Sequence, residues 1–258
     1  MDIDYPSLEY LQRLVKSRIT KLAFENISKL FYLKHFDRNQ FYLPPADVYI
    51  DHMYRFDFSG VCHTGNYYFY KLLLELGFDA YPIKYASHLA TIVRISDQLY
   101  YTDVAMGHPT YLPADITSTT EINIDQSVLK LYPDPNKKFR FHVEHGISGK
   151  EQYHWVFRPH ESIGLQEVEK LINWSNEPQR LFTTLLRVHL WQPEQHRSLS
   201  LFNNSFTIRY DEGKEQYKLH SVQEIQDILD GEFGFPNLPV HEAVDTLESL
   251  GTTIFGAP

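Results

Sequence analysis

One stretch limits what this chain can fold into more than any other: the apolar run Tyr67-Tyr68-Phe69-Tyr70-Lys71-Leu72-Leu73-Leu74-Glu75-Leu76, stopped by Gly77. It reads as a buried helix, because a glycine directly after such a run lets the chain leave the last turn through a left-handed residue. The helix is entered through Ser59-Gly60-Val61-Cys62-His63-Thr64-Gly65-Asn66. The small pair Ser59-Gly60 marks a loop, and the stretch holds the only cysteine in 258 residues. Cys62 then falls in the first turn of the helix or just before it. Unpaired backbone N–H groups and the positive end of the helix dipole favour a thiolate there. Position alone also suits a small buried hydrophobe.

The residues downstream supply partners for the thiol. His88 opens the β-rich run Leu89-Ala90-Thr91-Ile92-Val93-Arg94-Ile95. A second run is Gln98-Leu99-Tyr100-Tyr101-Thr102-Asp103-Val104, with Ser96-Asp97 between the two as a hairpin turn. With a two-residue loop, Asp103 lies opposite Ala90, one diagonal step from His88 on the same face. With the turn shifted back by one residue, Asp103 lies directly opposite His88. Both registers bring imidazole and carboxylate within reach of each other. A thiol at a helix start, with a histidine and an aspartate on neighbouring strands, is an arrangement for nucleophilic catalysis. His88 takes the thiol proton, and Asp103 fixes the imidazole tautomer and stabilises the imidazolium.

At this point the residues resemble a family. Leu22-Ala23-Phe24-Glu25-Asn26-Ile27 is similar to the Phe-Glu-Asn motif near the start of arylamine N-acetyltransferases, and Ser59-Gly60-Val61-Cys62 to their Arg-Gly-Gly-aromatic-Cys motif. His88-Leu89 and Tyr101-Thr102-Asp103-Val104-Ala105-Met106-Gly107 look like the family's histidine strand and its Asp-Val-Gly-Phe-Gly strand. Phe206-Thr207-Ile208-Arg209 through Phe233-Gly234-Phe235 resembles its last strands and final helix. The resemblance implies an α+β fold with a cysteine-protease-like (papain- or transglutaminase-like) core. A helical domain over 1–80 carries the nucleophile, a β-barrel domain over 81–194 carries the histidine and aspartate, and an α/β lid covers 195–258.

It also implies a ping-pong reaction. Cys62 attacks acetyl-CoA or a related acyl-CoA, coenzyme A leaves, and an amine, hydrazine or similar acceptor takes the acyl group. Glu25 braces the cysteine loop, and acceptor specificity is set at Met106, Gly107 and His108. Coenzyme A is a substrate, and no metal is needed. The chain departs from the family at Phe58 and Ser59, which replace the Arg and first Gly of Arg-Gly-Gly. Thr64 stands where Glu is frequent, and Ala105-Met106 replaces Gly-Phe. Other readings of the same residues are an amide synthase acting on a carrier-bound acyl chain, a transglutaminase- or papain-like hydrolase, and a non-enzymatic binding module.

Composition excludes several classes. Net charge is −9, from 24 basic and 33 acidic residues, which argues against a general nucleic-acid binder and leaves only local basic clusters for an anionic ligand. A single cysteine excludes an intrachain disulfide framework and suits a reducing compartment. Met1-Asp2-Ile3-Asp4 lacks the regions of a signal peptide, and no apolar run reaches the roughly 20 residues of a membrane span. A cytoplasmic protein with no membrane partner is expected.

The rest of the chain reads as follows. Residues 7–22 have Leu8, Leu11, Leu14, Val15, Ile19 and Leu22 at helical spacing. Residues 30–56 read as aromatic and irregular, with Pro44-Pro45 as a helix breaker. Phe139 to Glu144 alternates and pairs back with Gln152 to Arg158. His142, His145, His154 and His160 lack a zinc-ligand spacing and read as surface or hydrogen-bonding histidines. Ile163–Trp174 reads as a helix, and Leu181–Trp191 is ambiguous between helix and strand. Phe206–Tyr210 and Gln216–His220 form a hairpin, and Ser221 and Glu224 form a capping box that starts a helix ending at Gly231. A last helix covers Glu242–Leu250.

Overall fold

The leucine pattern after Ser7 forms helix α1, Leu8–Lys21. The Tyr10 N–H donates to Ser7 Oγ at 3.1 Å, which satisfies one free donor of the first turn. Leu11, Val15 and Ile19 recur every four residues and are all buried. The computed structural model describes residues 5–36, 43–106, 111–124, 127–137, 140–147 and 150–255. Strand β1 is only Phe24–Glu25, and Asn26 leads into α2, Ile27–His35. Helix α3, Ala46–Phe56, begins directly after Pro45. The expected irregular stretch over 30–56 is thus corrected to two helices among its described residues. The rings of Phe31, Tyr32, Phe56 and Phe58 pack on one another, which hides the helical period. Pro44-Pro45 starts α3, a role suited to proline's fixed φ and missing N–H.

Helix α4 is Cys62–Glu75, with Cys62 as its first residue. The Gly77 N–H donates to Leu74 O at 3.0 Å and the Phe78 N–H to Leu73 O at 2.9 Å, with Gly77 at φ +82°. That paired closure is the Schellman motif, and it needs a residue that accepts a left-handed φ. Phe69 and Leu73 pack against Leu11, Val15 and Ile19 of α1 and Val93 of the following sheet.

The period then changes to strands. β2 (Asp79–Tyr85), β3 (His88–Ile95), β4 (Gln98–Thr102) and β5 (Ala114–Asp115) form one antiparallel sheet in that order. Ile95 pairs with Gln98 and Thr91 with Thr102, the register of the two-residue Ser96-Asp97 loop. β6 (Thr120–Ile124), β7 (Ser127–Pro133), β8 (Phe141–Ile147) and β9 (Lys150–Phe157) form a second four-stranded sheet. The two sheets share one core of Ile83, Ile92, Tyr101, Leu131, Val143 and Phe157.

Helix α5, Leu165–Ser175, leads to a 3₁₀ turn at Leu181–Thr183 and to β10, Arg187–Gln192. The ambiguous run 181–191 therefore splits into turn and strand. β10, β11 (Arg197–Phe202), β12 (Ser205–Tyr210) and β13 (Gly213–Lys218) make a third sheet. β1 joins its edge, with Phe24 opposite His189. α6 (Val222–Gly231) and α7 (Val240–Ser249) complete this part. Ser221 caps α6, accepting the Glu224 N–H at 3.2 Å. Residues from both ends of the chain share this core: Ile27 and Leu30 lie with Leu199, Leu229 and Leu247. Among the described residues, no helix is long and apolar enough to cross a membrane.

Candidate active site

The loop before α4 is held by one buried carboxylate. Glu25 Oε1 accepts the N–H groups of Ser59 at 2.9 Å and Gly60 at 2.6 Å, and the Ser28 hydroxyl at 2.7 Å. Its Oε2 accepts the Ser28 N–H at 2.8 Å. Only an acidic side chain offers acceptors alone to so many donors. Arg18 and Tyr49 donate to Ser59 O at 3.0 and 3.1 Å, and the Ser59 hydroxyl donates to Ala23 O. Asn26 fastens the same segment to the C-terminal part. Its Nδ2 donates to Leu185 O at 2.6 Å and its Oδ1 accepts the Arg187 N–H at 2.7 Å. Phe58, where a family arginine would stand, is buried among the rings of Phe31, Tyr32 and Phe56.

Cys62 follows as the first helical residue, and Val61 before it offers no side-chain cap to the free N–H groups of the first turn. Burial alone would push the thiol up. The neighbouring imidazoles of His63 and His88 overcome burial and hold it down at about 5.

The opposite wall comes from the hairpin. His88 is the first residue of β3, and its Nε2 lies 2.6 Å from Asp103 Oδ2. Burial works against a charged ring, but Asp103 and Cys62 outweigh it and raise His88 to about 10. A carboxylate accepts, so Nε2 carries the proton and Nδ1 is the nitrogen left for the thiol. Asp103, directly after β4, is fully buried. Its Oδ2 also accepts the Tyr101 hydroxyl at 3.1 Å, and its Oδ1 accepts Asn66 Nδ2 at 2.8 Å. Asn66 donates to Leu89 O at 2.7 Å and accepts the Val104 N–H at 2.9 Å. It therefore ties α4 to both strands. A Cβ on Gly65 would lie 2.5 Å from Ala105 Cβ, so glycine is what lets the Asp103 segment approach the helix.

The structure thus gathers Cys62, His88 and Asp103 at one point. Cys62 and His88 open into a cleft of about 310 Å³, walled by Phe24, Met106, Trp155, Trp174 and Phe182, with His63, Ser175 and Arg180 at its polar edge, while Asp103 lies behind His88. Trp155 of β9 stacks on His88 at 5.3 Å. Of the three residues expected to set acceptor choice, Met106 lines the cleft; Gly107 and His108 lie outside the described residues.

Sequence reasoning assigned no part to Asn66, His63 or Lys29. Asn66 stands one helical turn after Cys62, a spacing that was available as a signal. Lys29 is buried, and its Nζ donates to Ser175 Oγ at 3.0 Å. Burial pushes its ammonium down to about 7, against the pull of Cys62. Of the histidines of 142–160, the side chain of His145 lies outside the described residues. His142 and His154 hydrogen-bond each other at 2.7 Å, and His142 also reaches Asp134 at 3.2 Å. Among the described residues no group of three or more His, Cys, Asp or Glu is arranged to hold a metal ion.

Fold and site define a class: an α+β, cysteine-protease-like protein whose buried thiol is set between imidazoles at a helix start. The sequence profile of the N-acetyltransferase family matches residues 7–240, and the chain belongs to that arylamine N-acetyltransferase family of acyltransferase enzymes, as a divergent member. The arylamine N-acetyltransferase of Salmonella typhimurium is 17% identical over 96% of this chain and 94% of its own, with a TM-score of 0.79. That of Mycobacterium marinum, solved in complex with CoA, is 16% identical over 95% and 94%, with a TM-score of 0.78. That of Mycobacterium abscessus is 18% identical over 96% and 90%, with a TM-score of 0.76. At these identities the likeness is one of fold. Comparison with curated protein sequences gives no match.

Proposed function

We propose that this protein is an acyl-CoA-dependent N-acyltransferase working through an acyl-Cys62 intermediate, with His88 as acid and base and Asp103 as the group that orients it. The observation that carries this reading is the buried His88–Asp103 pair at 2.6 Å beside a thiol held near 5. In the first half-reaction the Cys62 thiolate attacks the carbonyl carbon of the acyl thioester. The carbon–sulfur bond to coenzyme A breaks, and the coenzyme A thiolate takes a proton from the His88 imidazolium. In the second, an amine nitrogen attacks the acyl carbon and gives up a proton. The electron pair of the breaking bond returns to Cys62.

The free N–H of Cys62 at the helix start is a donor for the oxyanion of each tetrahedral intermediate. Phe24, Trp155, Trp174 and Phe182 suit a flat, apolar acceptor such as an arylamine or arylhydrazine, and Ala105 and Met106 are the wall residues nearest in sequence to Asp103. The Mycobacterium marinum complex supports coenzyme A as the donor's carrier.

The test is intact mass measurement after mixing with a panel of acyl-CoA thioesters. The expected result is one acyl group on the wild type, none on Cys62→Ser, and one equivalent of free coenzyme A thiol. No adduct and no thiol release with any donor would rule the reading out. Steady thiol release without an amine acceptor would mark a hydrolase instead.

A further inference from the structure

Beside the His88–Asp103 pair, a second imidazole borders the same thiol. His63 is the second residue of α4, only 3% exposed, and lines the cleft together with Cys62 and His88. Its Nε2 lies 2.7 Å from the backbone carbonyl of Ser87. A carbonyl only accepts, so Nε2 holds the ring proton and Nδ1 presents a bare lone pair. That Nδ1 is buried and has no hydrogen-bond partner. Buried polar atoms are nearly always satisfied, and an exception calls for an explanation.

From this geometry we propose that His63 is a further catalytic residue, whose Nδ1 takes the proton lost by the acceptor amine when the acyl group leaves Cys62. The identity of the step rests on the acyltransferase reading above. The amine nitrogen bonds to the acyl carbon, its proton goes to His63 Nδ1, and the carbon–sulfur pair returns to Cys62. The His63 imidazolium then stands beside the released thiolate, and its proton passes by way of Cys62 to His88, restoring the imidazolium that protonates the coenzyme A thiolate of the next cycle.

Arg180 lines the same cleft edge, and Lys29 borders a small cavity that shares the walls of His63 and Ser175. The depressed thiol, to which His63 contributes together with His88, is further sign of contact between His63 and the reacting sulfur.

The decisive variant is His63→Gln, whose amide keeps a donor for Ser87 O but cannot take a proton. Acyl-enzyme is prepared with p-nitrophenyl acetate, an activated ester that does not depend on coenzyme A, at pH 8.5, where loss of His63 least affects the thiolate. Discharge to aniline and to phenylhydrazine is then followed by intact mass across pH. We expect the variant to form acyl-enzyme but to discharge it about 100-fold more slowly than wild type, the scale of general-base catalysis, with a flattened pH profile. Discharge at the wild-type rate, or acylation and discharge slowed by the same factor, would overturn the proposal.

Should His63→Gln not accumulate acyl-enzyme, wild type decides. Acyl discharge and Cys62 alkylation should then have separate pH midpoints, and a single shared midpoint contradicts a second base. Failure of acyl-CoA to acylate the wild type, with p-nitrophenyl acetate still competent, counts against the donor assignment and not against His63.

Discussion

Two walls meet at Cys62, and they are held by different means. The hairpin wall is set by strand register. Thr91 pairs with Thr102, so His88 and Asp103 at the strand ends come together, and Asn66 and Tyr101 engage the carboxylate. The loop wall has no ladder of its own. Ser59 and Gly60 are held by one carboxylate from a segment some 35 residues away, with Arg18 and Tyr49 behind them. The difference is that one wall sets the chemistry and the other sets where the nucleophile stands. Damage to the first should remove turnover without unfolding; damage to the second should cost stability and turnover together.

The largest effect separates the walls on the chemical side. Asp103→Asn keeps the bond from Asn66 but presents an amide N–H to His88 Nε2. The ring then carries its proton on Nδ1, facing the thiol. We expect turnover to fall roughly ten-thousand-fold, as in the comparable serine triad, with little change in melting temperature. Near wild-type turnover would mean Asp103 is structural.

The loop wall is broken by Glu25→Gln. One acceptor oxygen becomes a donor in a pocket of donors, which should cost about 2 kcal/mol of stability in urea or thermal unfolding. Turnover should fall too, while the His88 ring keeps its Asp103-bonded proton resonance. Unchanged stability would show that the loop is carried by Arg18 and Tyr49 instead.

The smallest effect lies in the cleft that both walls enclose. Met106→Phe replaces a flexible thioether contact with a rigid ring, and should reorder a panel of amine acceptors by a few-fold, on the order of 1 kcal/mol. Acylation of Cys62 should be unaltered. An unchanged acceptor ranking would remove Met106 from the acceptor wall.

The walls also differ in how far the sequence revealed them. The hairpin was legible because a two-residue loop and a period of two fix which residues share a face. Helix α4 was legible from its apolar run and Gly77. The loop wall was legible only through the family resemblance, which set Glu25 against the cysteine loop; its hydrogen bonds to Ser59 and Gly60, and Asn26's to Leu185 and Arg187, join segments that no local pattern connects. Helices α2 and α3 were missed for a related reason. Their aromatic residues bury rings against one another on several sides, so no single apolar stripe stands out. β10 was obscured by the 3₁₀ turn just before it. His63 carried no signal beyond its place next to the cysteine; what distinguishes it is the Ser87 carbonyl that fixes its tautomer.

The central claim is that Cys62 rests as a thiolate between imidazoles, and the rate of its alkylation by iodoacetamide against pH tests this most directly. The depressed folded value places the thiolate above about 5, and the raised His88 value keeps the imidazolium beside it up to about 10. The rate should be half-maximal near pH 5 and level from about pH 6 to 9, with Asp103→Asn shifting the midpoint upward. A wild-type rate that rises only toward about pH 8.5, the range of an ordinary cysteine, would contradict the account.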